Sequence, residues 1–216
     1  MIAMLHYTYL KSRRDSSLFA FIMIPALFPL AALGGATLAK GHWHYPLFLN
    51  PQYTPVQNAT LCAQIATVVS VLFTVIPAFW TLRPEIATKS VTSFFFAARP
   101  MTVVASVIVF AFALNFTGWI GAITMIRILT GTLPPHVAFM TLKVAVGCLV
   151  TSALGTLLVT ISSQPALLVG GYMACGLLIP WIQGSKSSLQ VMGGGVGAAI
   201  VCTALAGFIL ERRCAT

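Results

Sequence analysis

Apolar runs long enough to cross a lipid bilayer recur along this chain, near residues 18–39, 59–82, 102–126, 137–160, 166–183 and 189–210, and only the fourth carries a charge, Lys143. A helix rises 1.5 Å per residue, so about 20 apolar residues cross a hydrocarbon layer about 30 Å thick. Inside lipid the backbone finds no water, and a spanning segment of this kind satisfies its own N–H and C=O groups as a helix. Composition excludes the water-soluble alternative. With 58% of 216 residues hydrophobic, 7% charged and a mean hydropathy of +0.95, the chain carries more apolar surface than a soluble domain can hide. The expected fold is an all-α membrane protein of six transmembrane helices, forming one domain over residues 1–216.

Twelve Lys and Arg stand against three Asp and Glu. The basic residues lie between the apolar runs, where they act as topology signals rather than as a nucleic-acid surface, and no nucleic-acid partner is expected. With the N-terminus inside, the inner segments hold Lys11, Arg13, Arg14, Arg83, Lys89, Arg99, Arg212 and Arg213, and the outer ones only Lys40, Arg127 and Lys186. The first run follows basic residues and ends in Ala32, Gly34 and Gly35, as a signal peptide does. Its length of about 20 residues and the runs that follow favour a retained span.

The carboxylates Asp15, Glu85 and Glu211 all fall at the edges of runs, so the membrane core offers no acidic relay for protons or sodium. No phosphate loop of the GxxxxGK[ST] type occurs, and Gly184-Ser185-Lys186-Ser187 has the wrong order for one. GxSxG and HExxH are missing as well, and His136 beside Pro134-Pro135 is the only histidine close to a run, which disfavours an enzyme. His42 and His44 could pair on a metal, but no Cys or carboxylate is near them, so no metal site is assigned. The cysteines at 62, 148, 175 and 202 lie in runs and Cys214 beyond the last, none in a CxxC pair, and they are read as small packing residues. Asn58-Ala59-Thr60 is a glycosylation pattern set close to a span. Lys143, about two turns into its run, is expected to snorkel to the surface in preference to binding an anionic substrate.

Gly147, Thr151 and Gly155 in the fourth run, and Gly193 and Gly197 in the sixth, recur at helical spacing and are expected to let helices approach within one bundle. Pro25, Pro29, Pro77 and Pro180 are expected to kink their helices.

Two polar segments are patterned as helices outside the bilayer. Residues 1–14 carry an apolar stripe of Ile2, Leu5 and Tyr9 ahead of Lys11, Arg13 and Arg14, and suit an interfacial helix; Asp15-Ser16-Ser17 can cap the first span. Residues 84–99 follow the second span. There Pro84 and Glu85 suit a helix start, Glu85 and Lys89 are spaced i,i+4 in the favourable order, and Arg99-Pro100 suits the end. Ala87, Val91, Phe94, Phe95 and Ala98 share one face.

At these residues the chain resembles the ABC-2 type permeases, the membrane subunits of many ATP-driven exporters. Their basic interfacial helix and "RD" entry to the first span are matched by Arg13-Arg14-Asp15; their acidic residue, Thr or Ser, and proline between spans 2 and 3 are matched by Glu85, Thr88 and Pro100, with Ala87 where glycine is usual. The resemblance implies that residues 84–99 form a coupling helix in the groove of a separate ATPase, met by Glu85, Thr88, Lys89, Val91, Phe94, Phe95 and Arg99. It further implies two ATPase subunits, which hold the ATP and magnesium, and a second permease subunit, identical or different, in the cytoplasmic membrane. This chain itself would hold no catalytic, cofactor or metal site. Two alternatives stand beside it. One is a substrate-binding subunit of an energy-coupling vitamin importer, which couples through small residues on transmembrane helices. The other is a membrane scaffold that transports nothing.

The basic asymmetry predicts that both termini face the cytoplasm. Reporter fusions to residue 216 should be active only on the cytoplasmic side, and activity confined to the outer side would reverse the orientation.

Overall fold

The computed structural model describes residues 52–87, 99–162 and 187–215, with scattered positions between 164 and 176. Among these residues there is no strand. Five helices account for them: α1 (Pro55–Phe73), α2 (Val75–Ala87), α3 (Pro100–Thr130), α4 (Val137–Ile161) and α5 (Ser188–Ala215). With α1 and α2 counted as one rod, four are long and apolar enough to cross a membrane, and they coincide with the second, third, fourth and sixth runs. The first run, the helix expected at 1–14, and all but a few positions of the fifth run lie outside the described residues.

Local chemistry sets the ends. Thr54 caps α1 reciprocally: its hydroxyl accepts from the Gln57 N–H at 3.3 Å, and the Gln57 amide oxygen accepts from the Thr54 N–H at 2.8 Å. Pro55 follows at a position where a missing N–H costs nothing. The helix therefore begins ahead of the apolar run, and Asn58 is buried within it, its amide donating to the Tyr53 carbonyl. The rod breaks for one residue at Thr74. Pro77 has no N–H for the Phe73 carbonyl, which leaves the helical ladder open beside that break. Pro84 does not start a new helix: α2 runs through it to Ala87, losing only the bond that its N–H would have made to residue 80. The separate start expected at Pro84 and Glu85 is thus not seen among the described residues.

Helix α3 starts at Pro100 behind Arg99 and ends at Gly131, whose φ of 70° is the left-handed conformation that glycine adopts without strain; the Gly131 N–H bonds the Arg127 carbonyl at 3.0 Å. At 31 residues it is about 46 Å long, more than the hydrocarbon thickness, so it must tilt or project. A short turn returns the chain through His136, also left-handed at φ 57°, into α4.

Helix α4 touches every other described helix. Val144 and Cys148 join Ala59, Cys62, Ala63 and Ala66 of α1 and Trp119, Ala122 and Ile126 of α3. Val146, Val150 and Ala153 meet Val104 and Ile108 of α3 and Val191, Ala199, Ala206 and Leu210 of α5. Val159 packs with Ala78, Phe79 and Leu82 of α2 and with Val103, Val107 and Ala111 of α3. These pairings make α3 antiparallel to α1, α2, α4 and α5. As a result α2, α4 and α5 finish at the end where α3 begins.

The small residues divide into two sets. A methyl group on Gly155 would stand 2.8 Å from the Val75 carbonyl and 3.0 Å from the Ala78 Cβ, so this glycine brings α4 against the start of α2. Gly193 and Gly197 have nothing within 4 Å of where a Cβ would stand. The expected packing role holds in α4 and is not seen in α5, the least covered helix, with 28% of its apolar stretch buried against 67% in α4.

Gly155→Ala should therefore destabilise the purified protein by about 1–3 kcal/mol, the range for overpacking a tight core. Gly193→Ala and Gly197→Ala should be neutral or raise the melting temperature, because each adds helix propensity without a clash. Thermal unfolding in detergent measures all three, and equal losses would contradict the division.

Candidate functional site

Hydroxyl groups line the inner faces of the bundle. Thr67, Ser70 and Thr74 follow one another by three and four residues on the α1 rod, and Ser152, Thr156 and Thr160 follow at intervals of four on α4 beside Thr151; all are buried. Most bond to their own helix: Thr67 to the Ala63 carbonyl at 2.8 Å, Thr151 to Gly147 at 2.9 Å, Thr156 to Ser152 at 2.8 Å. Such hydroxyls are spent on the backbone and bend helices more than they recognise anything.

One level differs. At the break in the rod, the Ser70 carbonyl accepts from the Thr74 hydroxyl at 2.6 Å and from the Cys148 thiol of α4 at 3.6 Å. The Ser70 hydroxyl itself is buried without a partner. On α3, Asn115 is fully buried; its amide donates to the Ala111 carbonyl at 3.2 Å, while its oxygen Oδ1 has no partner. Ala111 belongs to the α2 side of the core and Trp119 to the α1 side, so Asn115 sits at the height where the rod breaks. Two unsatisfied oxygens at one depth are costly, about 1–3 kcal/mol each when buried. The apolar run 102–126 gave a signal in Asn115, its only amide side chain, and the spacing of Thr67, Ser70 and Thr74 gave another. Sequence reading assigned neither a role.

Nearer the end holding Arg127, the Trp119 indole N–H donates to the Thr141 hydroxyl at 3.2 Å, tying α3 to α4. Lys143 turns back along α4, its ammonium 4.6 Å from the centre of the Phe139 ring. That direction is toward the helix N-terminus, as expected of a snorkelling lysine.

Of the residues assigned to an ATPase contact, Arg99 is exposed at the N-cap of α3, and Glu85 occupies a backbone position in the last turn of α2. Thr88, Lys89, Val91, Phe94 and Phe95 lie outside the described residues, as do His42 and His44. Among the described residues, no three His, Cys, Asp or Glu side chains come together. The end that carries Arg99 also carries Arg83, Arg212 and Arg213, whereas the opposite end carries Arg127 and Lys143. The Arg213 guanidinium donates to the Ile161 carbonyl, binding the last turn of α5 to that of α4. No family model, curated protein or solved structure matches the chain.

Because the Asn115 oxygen and the Ser70 hydroxyl gain nothing from their surroundings, Asn115→Leu and Ser70→Ala should leave the melting temperature unchanged or raise it. Thr141→Val, which strands the Trp119 N–H, should cost about 1–3 kcal/mol. Melting of the three variants checks the contrast; a large loss in Asn115→Leu would mean that its oxygen is already paired.

Proposed function

We propose that the chain is the membrane permease subunit of an ABC-2 type exporter, driven by ATP hydrolysed on separate subunits. One observation carries the reading: four of the described arginines gather at the end where α2 finishes and α3 begins, the end from which the coupling segment emerges. By the positive-inside bias that end faces the cytoplasm, where an ATPase docks. The Arg99-Pro100 boundary of α3 agrees with the position that the resemblance gives to the close of that segment.

In this reading ATP closes two nucleotide-binding subunits on paired permeases. Residues 84–99 carry the motion to α2 and α3, and the break at Thr74 lets the two halves of the rod respond separately. All described charges sit within about two turns of helix ends, so the driving force enters from the ends. The partly unsatisfied level at Ser70 and Asn115 supplies polar groups along an otherwise apolar path. A second reading, the substrate-binding subunit of a vitamin importer, is favoured by one observation: the open face at Gly193 and Gly197 is of the kind that coupling through small residues requires.

Pull-down of the ATPase separates the two. Phe94→Ala or Phe95→Ala should weaken ATPase binding by about 2 kcal/mol, roughly 30-fold, as loss of a buried aromatic anchor does, and Glu85→Ala should reduce coupling, each at normal membrane abundance. If all three variants retain the partner and stimulate its ATP turnover like the parent, the coupling segment is misassigned. If instead Gly193→Leu and Gly197→Leu release an ATPase complex, the importer reading holds.

A further inference from the structure

The uncovered side of α5 is built in two parts. Val201, Leu205 and Phe208 follow at intervals of four and three residues and are exposed, and Gly197, one turn earlier, leaves a shallow floor with no side chain within 4 Å. The same stripe ends, four residues on, at Arg212, whose guanidinium lies 4.6 Å from the centre of the Phe208 ring. Met101 of α3 packs against Gly207, so the first turn of α3, with exposed Arg99 at its cap, stands beside the last turns of α5. The apolar strip thus leads to Arg212, and Arg99 lies at the same end of the bundle.

We propose that this seam binds one acidic phospholipid, its acyl chain along Gly197, Val201, Leu205 and Phe208 and its phosphate at Arg212 and Arg99. The dimensions agree. From residue 197 to residue 212 the helix rises about 22 Å, close to one leaflet with its headgroup. The charge agrees as well: Arg83, Arg99, Arg212 and Arg213 share this end with Glu211 and Glu85, and arginine forks match phosphate oxygens. A second copy of the chain suits the strip less well, because a two-fold axis along the membrane normal would bring Arg212 toward its own symmetry mate at the same height. The proposal rests on the helices spanning a bilayer and not on the transport reading, so either can fail alone.

The test uses the full-length protein, purified in detergent and offered phosphatidylglycerol, phosphatidylcholine of the same acyl chains, or inorganic phosphate. Native mass spectrometry should show phosphatidylglycerol retained about 30-fold over phosphatidylcholine, at about 1 kcal/mol for each of the two arginines near an anionic headgroup. Phosphatidylglycerol, and not inorganic phosphate, should raise the melting temperature. Arg99→Gln with Arg212→Gln should abolish the preference, and Val201→Trp should lower retention with the charges intact. Equal retention of the two lipids by the parent overturns the proposal without any variant. So does a melting shift reproduced by inorganic phosphate, or efficient crosslinking of Val201→Cys into dimers that retain no lipid.

Discussion

The bundle depends on the close approach of Gly155 to the joint between α1 and α2. Pro77 deprives the Phe73 carbonyl of its helical donor, and in a membrane such an opening in the backbone must be covered by protein, because lipid offers nothing to bond. Helix α4 covers it. Without a side chain at 155, its backbone comes close to the Val75 carbonyl, and seven residues earlier the Cys148 thiol reaches the Ser70 carbonyl from the other side of the break. Both α4 and the longer α3 touch every other described helix, and of the two it is α4 that brings a glycine against the joint.

The spans were legible because length and charge exclusion are strong signals, and α1 with α2, α3, α4 and α5 overlie four of the six apolar runs. Interruption of the second rod was legible too, from Pro77. Boundaries were less so. The Thr54 and Gln57 cap lay in the sequence but outside the apolar run that was sought. Pro84, read as a helix start, is carried inside α2, since a helix already formed and packed through Leu82 loses one bond there and keeps its burial. Small residues misled in α5 for a related reason. Spacing says which glycines share a face, but only packing says whether another helix lies against that face, and Gly155 and Gly197 look alike until Val75 is placed. The level at Ser70 and Asn115 was invisible as a unit, because it is assembled from two helices whose register no single run contains.

Charge is sorted by depth as cleanly as apolar surface. Arginines crowd the end where α2, α4 and α5 stop, and there they also serve the backbone: Arg213 meets the Ile161 carbonyl at the C-terminus of α4, where the helix dipole favours a cation. Arg127 lies in the last turn of α3 at the opposite end, where the helix dipole likewise favours a cation. The same residues that make the two ends unequal in charge therefore also finish helices by their position. Topology and stability draw on one set of side chains, so the bias could not be erased without loosening the helix ends.

The inner hydroxyls complete this division. A hydroxyl bonded to its own helix, as Thr151 and Thr156 are, leaves the surface between helices effectively apolar, and such surfaces can slide with little penalty. Among the described residues, hydrogen bonds that cross between helices include Cys148 to Ser70 at the break, Trp119 to Thr141 nearer one end and Arg213 to Ile161 at the other. Helix α1 packs with one core cluster and α2 with another, and the break at Thr74 falls between them. A rotation of α2 against α1 would disturb both the Cys148 thiol contact and the close approach of Gly155 to Val75. The joint is therefore held by close packing at the same depth where the Ser70 and Asn115 oxygens are buried without partners.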